Sequence, residues 1–323
     1  MAAWQDAMSK RKSRIQVWAE YLPVMLAFEV LSLLPRRAAL SVAMAFAKTA
    51  FLLIGNLKKV GMRNLEIAFP EMAEPERLKI LKGSIQNLGR VLGEMSQFHK
   101  LSPADVEKLV EYSDPNTMRV FVETRSEHRG VLITTGHLGN WEMLVYSFAA
   151  LVQPMSYLAR PLDNPLIEDL TVSIRTLLGN RPINKKNSAM LAAKLLRSGE
   201  ILGILADVNT TRKEGVFVPV FGVPACTSTG AAKLAIRSNA LIYPTFCMWD
   251  HDREGYKIVH AGPFEPVNTG DRDRDVYETT AQFTLAIEDI IRQYPDQWMW
   301  IHKRWKTRPE GEPDIYAEKS RDS

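Results

Sequence analysis

His137 and Glu142 lie five positions apart in the stretch Gly130–Glu142, GVLITTGHLGNWE. An imidazole that takes a proton near neutral pH needs one ring nitrogen free and the other held by an acceptor. A carboxylate is the usual holder, because it also stabilises the imidazolium that forms. On one continuous helix a separation of five turns two side chains roughly 140° apart, so they would not meet. The sequence offers a corner instead. Val131–Thr135 is a short, β-rich apolar run between Gly130 and Gly136, the pattern of a buried strand. Asn140-Trp141-Glu142 then opens an apolar run to Leu151 that reads as a helix. His137 falls where the strand stops and Glu142 in the first turn of the helix. The pair reads as a general base with its orienting carboxylate. No G-x-S-x-G elbow and no evident Ser or Cys partner accompanies His137, so the base would act on a substrate hydroxyl. Backbone N–H groups near Gly139 and Asn140, at the helix start, are the expected donors to a developing oxyanion. A His-x4-acid spacing also arises by chance, and the competing reading is a purely structural corner.

The elements around this corner form a recognisable rhythm. From Gly130 onward, strands alternate with helices: Met155–Ala159, Arg181–Asn184, Ile201–Ala206, Ala240–Met248 and Tyr256–His260 read as strands. Asn164–Leu178, Ser188–Leu196, Thr227–Arg237 and Asp271–Gln293 read as helices. Alternation of this kind predicts an α/β fold with a mostly parallel central sheet covered by helices. Ligands of open parallel sheets sit beyond the carboxyl ends of the strands. Those ends carry His137, Arg160, Asn184 and Asp207, with Arg175 in the helix after the second of them. Guanidinium groups there suit a phosphate or carboxylate on a substrate. Structural ion pairs for Arg160 and Arg175, and a loop or helix cap for Asp207, are the alternatives. Val208–Ala225 reads as a loop whose apolar part, Gly215–Pro224, either contacts lipid or a partner or is buried as a lid or edge strand.

The N-terminal third differs. Lys10, Arg11, Lys12 and Arg14 precede a mostly apolar segment, Ile15–Leu34, interrupted by Glu20, Pro23 and Glu29. No small-residue cleavage site follows; Pro35-Arg36-Arg37 does. A second apolar helix, Ala38–Ile54, ends at Gly55 before Lys58, Lys59 and Arg63. Two apolar segments flanked by basic clusters suit contact with anionic headgroups, either spanning or lying in the interface; a buried helix is the alternative. We therefore divide the chain into a membrane-anchoring helical segment, residues 1–60, and an α/β domain, residues 61–323. Glu74-Pro75-Glu76-Arg77 starts a helix to about Phe98, and Ser102-Pro103-Ala104-Asp105 a shorter one. Leu109–Tyr112 reads as a strand, Asp114-Pro115-Asn116 as a turn and Met118–Ser126 as a helix. The closing cluster Trp298, Trp300, His302, Lys303, Arg304, Trp305 and Lys306 has the composition of a membrane-interface belt, or of a last edge strand.

Composition narrows the classes. The chain has 323 residues, 46% of them hydrophobic, and a net charge of +4, enough for a sizeable core and weakly favourable to anionic partners. No nucleic-acid motif stands out. The two cysteines, Cys226 and Cys247, form no C-x-x-C. Reduced thiols on the cytosolic side are expected, with no metal and no cofactor.

The order MRNLEIAFPEM, GHLGNWE, RPLDNP, ILADVN, VFVPVFGVPACTSTGAAKLA and QWMWIHKRWKTRP, spread over roughly residues 20 to 308, resembles the bacterial lipid A late acyltransferases, the lauroyl/myristoyl transferase family of the lysophospholipid acyltransferase group. The resemblance implies a membrane anchor on the cytoplasmic face of the inner membrane and transfer of a fatty acyl group from acyl carrier protein to a hydroxyl of a lipid A precursor. It implies His137 and Glu142 as the catalytic pair, with Arg160, Asn164, Asp207 and Arg175 in the substrate region. Val208 departs from the Gln or His often found after the Asp, which puts polar contacts there in doubt. Other glycolipid, aminolipid or lysophospholipid acceptors share these motifs. A non-catalytic glycolipid carrier and an α/β hydrolase are the rivals from other classes, the latter disfavoured by the missing elbow.

Overall fold

The computed structural model describes residues 12–112, 129–184 and 189–317. The turn at Asp114-Pro115-Asn116, the helix over Met118–Ser126 and Ser188, where the helix to Leu196 was expected to start, fall outside them. Five helices, α1 (Arg14–Leu33), α2 (Arg36–Leu53), α3 (Gly55–Ala68), α4 (Glu74–Met95) and α5 (Pro103–Leu109), precede the short strand β1 (Val110–Glu111). Then come β2 (Val131–Thr135), α6 (Trp141–Leu151), β3 (Ser156–Ala159), α7 (Pro165–Arg175), β4 (Arg181–Asn184), α8 (Ala189–Arg197) and β5 (Ile201–Leu205). The chain continues through β6 (Gly215–Val220), β7 (Val223–Ser228), α9 (Gly230–Ser238), β8 (Leu241–Ile242), β9 (Thr245–Asp250), β10 (Gly255–His260) and α10 (Arg272–Gln293).

The central sheet has the order β4-β3-β5-β2-β8, and every pairing in it is parallel. Its two faces follow from the period of two in a strand. Leu132 and Leu202 enter a core shared with α8, α9 and α10. Val131, Ile133 and Ile201 enter another, built with α4, α6 and Tyr256. All five residues of β2 are buried, which explains why that strand reads as a continuous apolar run rather than an alternating one.

Three readings are corrected. The Val208–Ala225 loop contains a β-hairpin: β6 and β7 pair antiparallel from Gly215 with Ser228 to Val220 with Val223. Val218, Val220 and Ala225 are buried, so much of its apolar character serves the core. The single strand expected over Ala240–Met248 is two, because the chain leaves the central sheet after Ile242 and rejoins a second sheet, β1-β10-β9, at Thr245. The closing Trp cluster is neither belt nor strand. Trp298, Trp300 and Trp305 are buried in a turn-rich segment pinned to α3 and α4, where Asn64 Nδ2 donates to the Trp300 and His302 carbonyls and Ser84 to that of Trp298.

At the N-terminus, α1 carries exposed apolar side chains along its length, among them Ile15, Trp18, Leu22, Leu26, Val30 and Leu33. It is long and apolar enough to cross a membrane. Of its two carboxylates, Glu20 is bound to Lys12. Helix α2 packs along α4, and α3 starts at Gly55, bent by 93° from α2. The α2–α4 contact includes a buried ion pair. Arg36 Nε donates to both oxygens of Glu94, at 3.1 and 3.0 Å, and the Tyr256 hydroxyl donates to Glu94 Oε1 at 3.2 Å. The Glu94 side chain has no solvent exposure. Removing one partner of a buried pair leaves the other uncompensated. Glu94→Ala should therefore destabilise the fold by about 3 kcal/mol, read by chemical denaturation against the wild type.

Candidate active site

Parallel register brings the first two functional groups together. Thr135 at the end of β2 lies opposite Leu205 of β5, and Ala206 N–H donates to the Thr135 carbonyl at 2.8 Å. Two residues beyond each strand end, His137 and Asp207 are therefore side by side. His137 Nδ1 is 3.0 Å from Asp207 Oδ1, and the His137 backbone N–H donates to Asp207 Oδ2 at 2.7 Å. Trp298 Nε1 donates to the same Oδ2 at 2.9 Å. Burial works against the charged form of each group. For Asp207 the positive His137 and the hydrogen bonds from His137, Trp298 and the backbone outweigh it, and its pKa is lowered. For His137 burial is outweighed by the Asp207 charge and hydrogen bond and, further off, by Glu142, and its pKa is raised. With an ionised Asp207 as acceptor, Nδ1 carries the proton and Nε2 is the basic nitrogen.

The expected His137–Glu142 contact is not how these side chains are arranged. Arg175 takes the Glu142 carboxylate with two bonds, Nε to Oε2 at 2.8 Å and a terminal nitrogen to Oε1 at 2.5 Å. Trp141 Nε1 adds a third at 2.9 Å. Asp207 wins the imidazole because it leaves the neighbouring strand directly beside it, whereas Glu142 points to the end of α7. Glu142 still bears on His137 by position: the Trp141 ring it holds meets the His137 ring edge-on, with centroids 4.9 Å apart.

The two backbone donors assigned to an oxyanion are already used. Gly139 N–H donates to the Gln297 carbonyl at 3.0 Å and Asn140 N–H to that of Cys247 at 2.7 Å. Gly139 has φ +64°, and a Cβ there would lie 2.3 Å from the Cys247 oxygen. Only glycine fits this turn. Asn140 caps α6 by accepting from Met143 N–H at 2.9 Å, and Asn87 Nδ2 donates to the Gly139 carbonyl at 2.7 Å. The corner is thus clamped by its backbone rather than open to a substrate.

The remaining predicted residues divide. Arg160 lies at the cavity rim, largely exposed, with Asp163 3.2 Å away. Asn164 is not in the cavity wall. It caps α7 by accepting from Leu166 and Ile167 N–H, and it donates to the Val17 carbonyl and to Glu20 of α1. Asn184 ends the edge strand β4. Among the described residues, no group of His, Cys, Asp and Glu is placed to hold a metal ion.

A cavity of about 330 Å³ opens at His137 and runs between the sheet and α6. On the α6 side it is lined by Thr135 and Ile133 from β2, Tyr157 from β3, Gly203 from β5 and Leu144 and Val145 of α6, and past the sheet edge by Leu158, Ile204 and Ala231. Sequence reasoning placed neither this cavity nor Trp298 beside Asp207; its indole was read with the other closing tryptophans as part of an interface belt or a last edge strand. Nothing local in QWMWIHKRW distinguishes an indole aimed at a buried aspartate.

The parallel sheet, with an imidazole–carboxylate pair at its carboxyl edge over a largely apolar cavity, defines an α/β protein with a candidate acid–base site. Residues 7–307 match the family described as bacterial lipid A biosynthesis acyltransferase, and the chain belongs to it; it is an O-acyltransferase of lipid A biosynthesis. Over 261 residues it is 31% identical to the lipid A biosynthesis lauroyltransferase of Escherichia coli K12, covering 80% of this chain and 82% of that one. The palmitoleoyltransferase of the same organism is 27% identical, with 80% and 82% covered. The myristoyltransferase is 21% identical, with 79% and 77% covered.

The geometry ranks the two carboxylates. Asp207→Asn should lower kcat by about 10²- to 10⁴-fold, because an amide no longer fixes the productive tautomer. Glu142→Gln should cost less, about tenfold, as the loss of a positioning contact. Side-by-side turnover of the two variants checks the order.

Proposed function

We propose that this enzyme moves a fatty acyl group from an acyl carrier protein thioester to a hydroxyl of a lipid A precursor, at the cytoplasmic face of the inner membrane. The observation that carries this reading is the His137–Asp207 pair at the mouth of an apolar cavity. His137 Nε2 takes the proton of the acceptor hydroxyl, whose oxygen attacks the thioester carbonyl. The carbon–sulfur bond breaks, and the imidazolium returns the proton to the leaving thiolate. Asp207 holds the ring and stabilises its cationic form. The Glu142–Arg175 pair positions Trp141 against the ring. Arg160, at the rim, meets an anionic group of the acceptor.

Membrane contact falls to residues 1–60, while residues 61–323 carry the chemistry. The exposed apolar face of α1 supports this, and so do Phe46, Leu52, Leu53 and Ile54 around the α2–α3 bend, all exposed. Lys58 and Lys59 follow directly, where anionic headgroups would receive them. The acyl chain lies along the cavity. Its length is set where Gly203 meets the opposing wall, since a Cβ at Gly203 would come within 2.8 Å of Met155 Cε.

Radiolabelled acyl carrier protein thioesters of several chain lengths, offered to lipid A precursor with purified protein in detergent, test the reading. Transfer should occur and His137→Ala should lose about 10²- to 10⁴-fold of it; near-normal turnover in that variant would remove His137 from the mechanism. A neutral base is required, so activity should rise with pH through the raised His137 pKa. Removing the Asp207 charge takes away what raises that pKa, so the residual activity of Asp207→Asn should have its acid limb at lower pH. Gly203→Ala should shift the preferred donor to shorter chains.

A further inference from the structure

The oxyanion of the tetrahedral intermediate needs a donor, and the two backbone candidates at Gly139 and Asn140 are engaged elsewhere. We propose that the Thr135 hydroxyl is that donor, contacting the thioester carbonyl oxygen on the cavity side of His137. The assignment rests on the acyl-transfer reading above.

Three observations carry it. Thr135 and His137 are two apart on β2, so their side chains share one face, with Thr135 roughly 7 Å further in. That face is the one turned to α6, and both residues line the cavity. Thr135 is only 5% exposed, and its Oγ1 is buried with no hydrogen-bond partner. A buried hydroxyl without a partner is unfavourable, and valine has the same branched shape without that cost. A threonine here is explained by a ligand atom that completes it.

The other polar side chains of the wall are less suited. Glu142 and Arg175 bind each other. Asn209 exchanges hydrogen bonds with Thr307, Thr210 donates to Glu214, and Ser228 accepts from Gly230 N–H. The Tyr157 hydroxyl is also unpartnered. Register puts Tyr157 opposite Gly203 and Gly203 opposite Ile133, one layer deeper than Thr135, beside the acyl chain rather than its carbonyl. Thr134 Oγ1 is buried and unpartnered too, but its side chain leaves the opposite face of β2 and does not line the cavity. It serves as the control.

The test compares wild type, His137→Ala, Thr135→Val, Thr135→Ser and Thr134→Val in the acyl carrier protein thioester and lipid A precursor assay, with Tm measured for each. Thr135→Val should lower kcat by about 10²-fold, the scale of one lost oxyanion donor. KM for the thioester should change little and Tm should hold or rise. Thr135→Ser should recover most of the rate, and Thr134→Val should keep it. Wild-type transfer that His137→Ala abolishes and Thr135→Val leaves within twofold would overturn the Thr135 assignment alone. So would equal losses in Thr135→Val and Thr134→Val, or a loss matched by a fall in Tm. No transfer by the wild type would overturn the acyl-transfer reading, and this donor with it.

Discussion

A single buried carboxylate organises the corner at the ends of β2 and β5. Asp207 takes the ring of His137, its backbone N–H and the indole N–H of Trp298. It leaves β5, the ring leaves β2, and the indole arrives from the far end of the chain. A lone ionised carboxylate at this depth would be expelled or protonated. Three donors keep it charged, and two separate parts of the fold fix them. The parallel pairing of β2 with β5 sets the first two. The packing of the closing Trp turn against α3 and α4 sets the third. Loss of either arrangement would leave the imidazole without its orienting anion.

Around that carboxylate the site is held by hydrogen bonds that look structural until followed outward. Glu94 ties Arg36 of α2 to the Tyr256 hydroxyl, and Asn140 Nδ2 donates to that same hydroxyl at 3.1 Å while its Oδ1 caps α6. Asn87 grips the Gly139 carbonyl from α4. The corner between strand and helix therefore has little conformational freedom, and the His137 imidazole is presented on a preorganised support. The same rigidity uses up the amides that a helix start would otherwise offer to a substrate.

Much of this was legible in the sequence, and the omissions have physical causes. The apolar run between Gly130 and Gly136 and the alternation after it mark a parallel sheet, because buried strands between helices leave that signature. His137 and Asp207 both stand at strand ends, so their convergence follows once the order β5-β2 is known. Strand order is not encoded locally, however, and spacing along the chain favoured Glu142 as the partner. Asn164 followed the same logic: its motif position suggested substrate, but its side chain spans from the α7 cap to α1. The Trp cluster misled because Trp with Lys and Arg has one composition whether it faces headgroups or a core. Thr135 was invisible within a β-rich run where threonine is ordinary.

Helix α7 has a property that follows from its two ends. Its first turn is capped by Asn164, whose amide reaches the Val17 carbonyl and Glu20 on α1. Its last residue, Arg175, grips the Glu142 carboxylate beside the Trp141 and His137 rings. One short, stiff rod thus joins α1, none of whose residues is buried, to the wall of the cavity. Helix α1 is consequently tied to the interior of the protein. Trimming it to gain solubility would strip the amide of its partners and loosen the seat of the guanidinium that steadies the active-site wall.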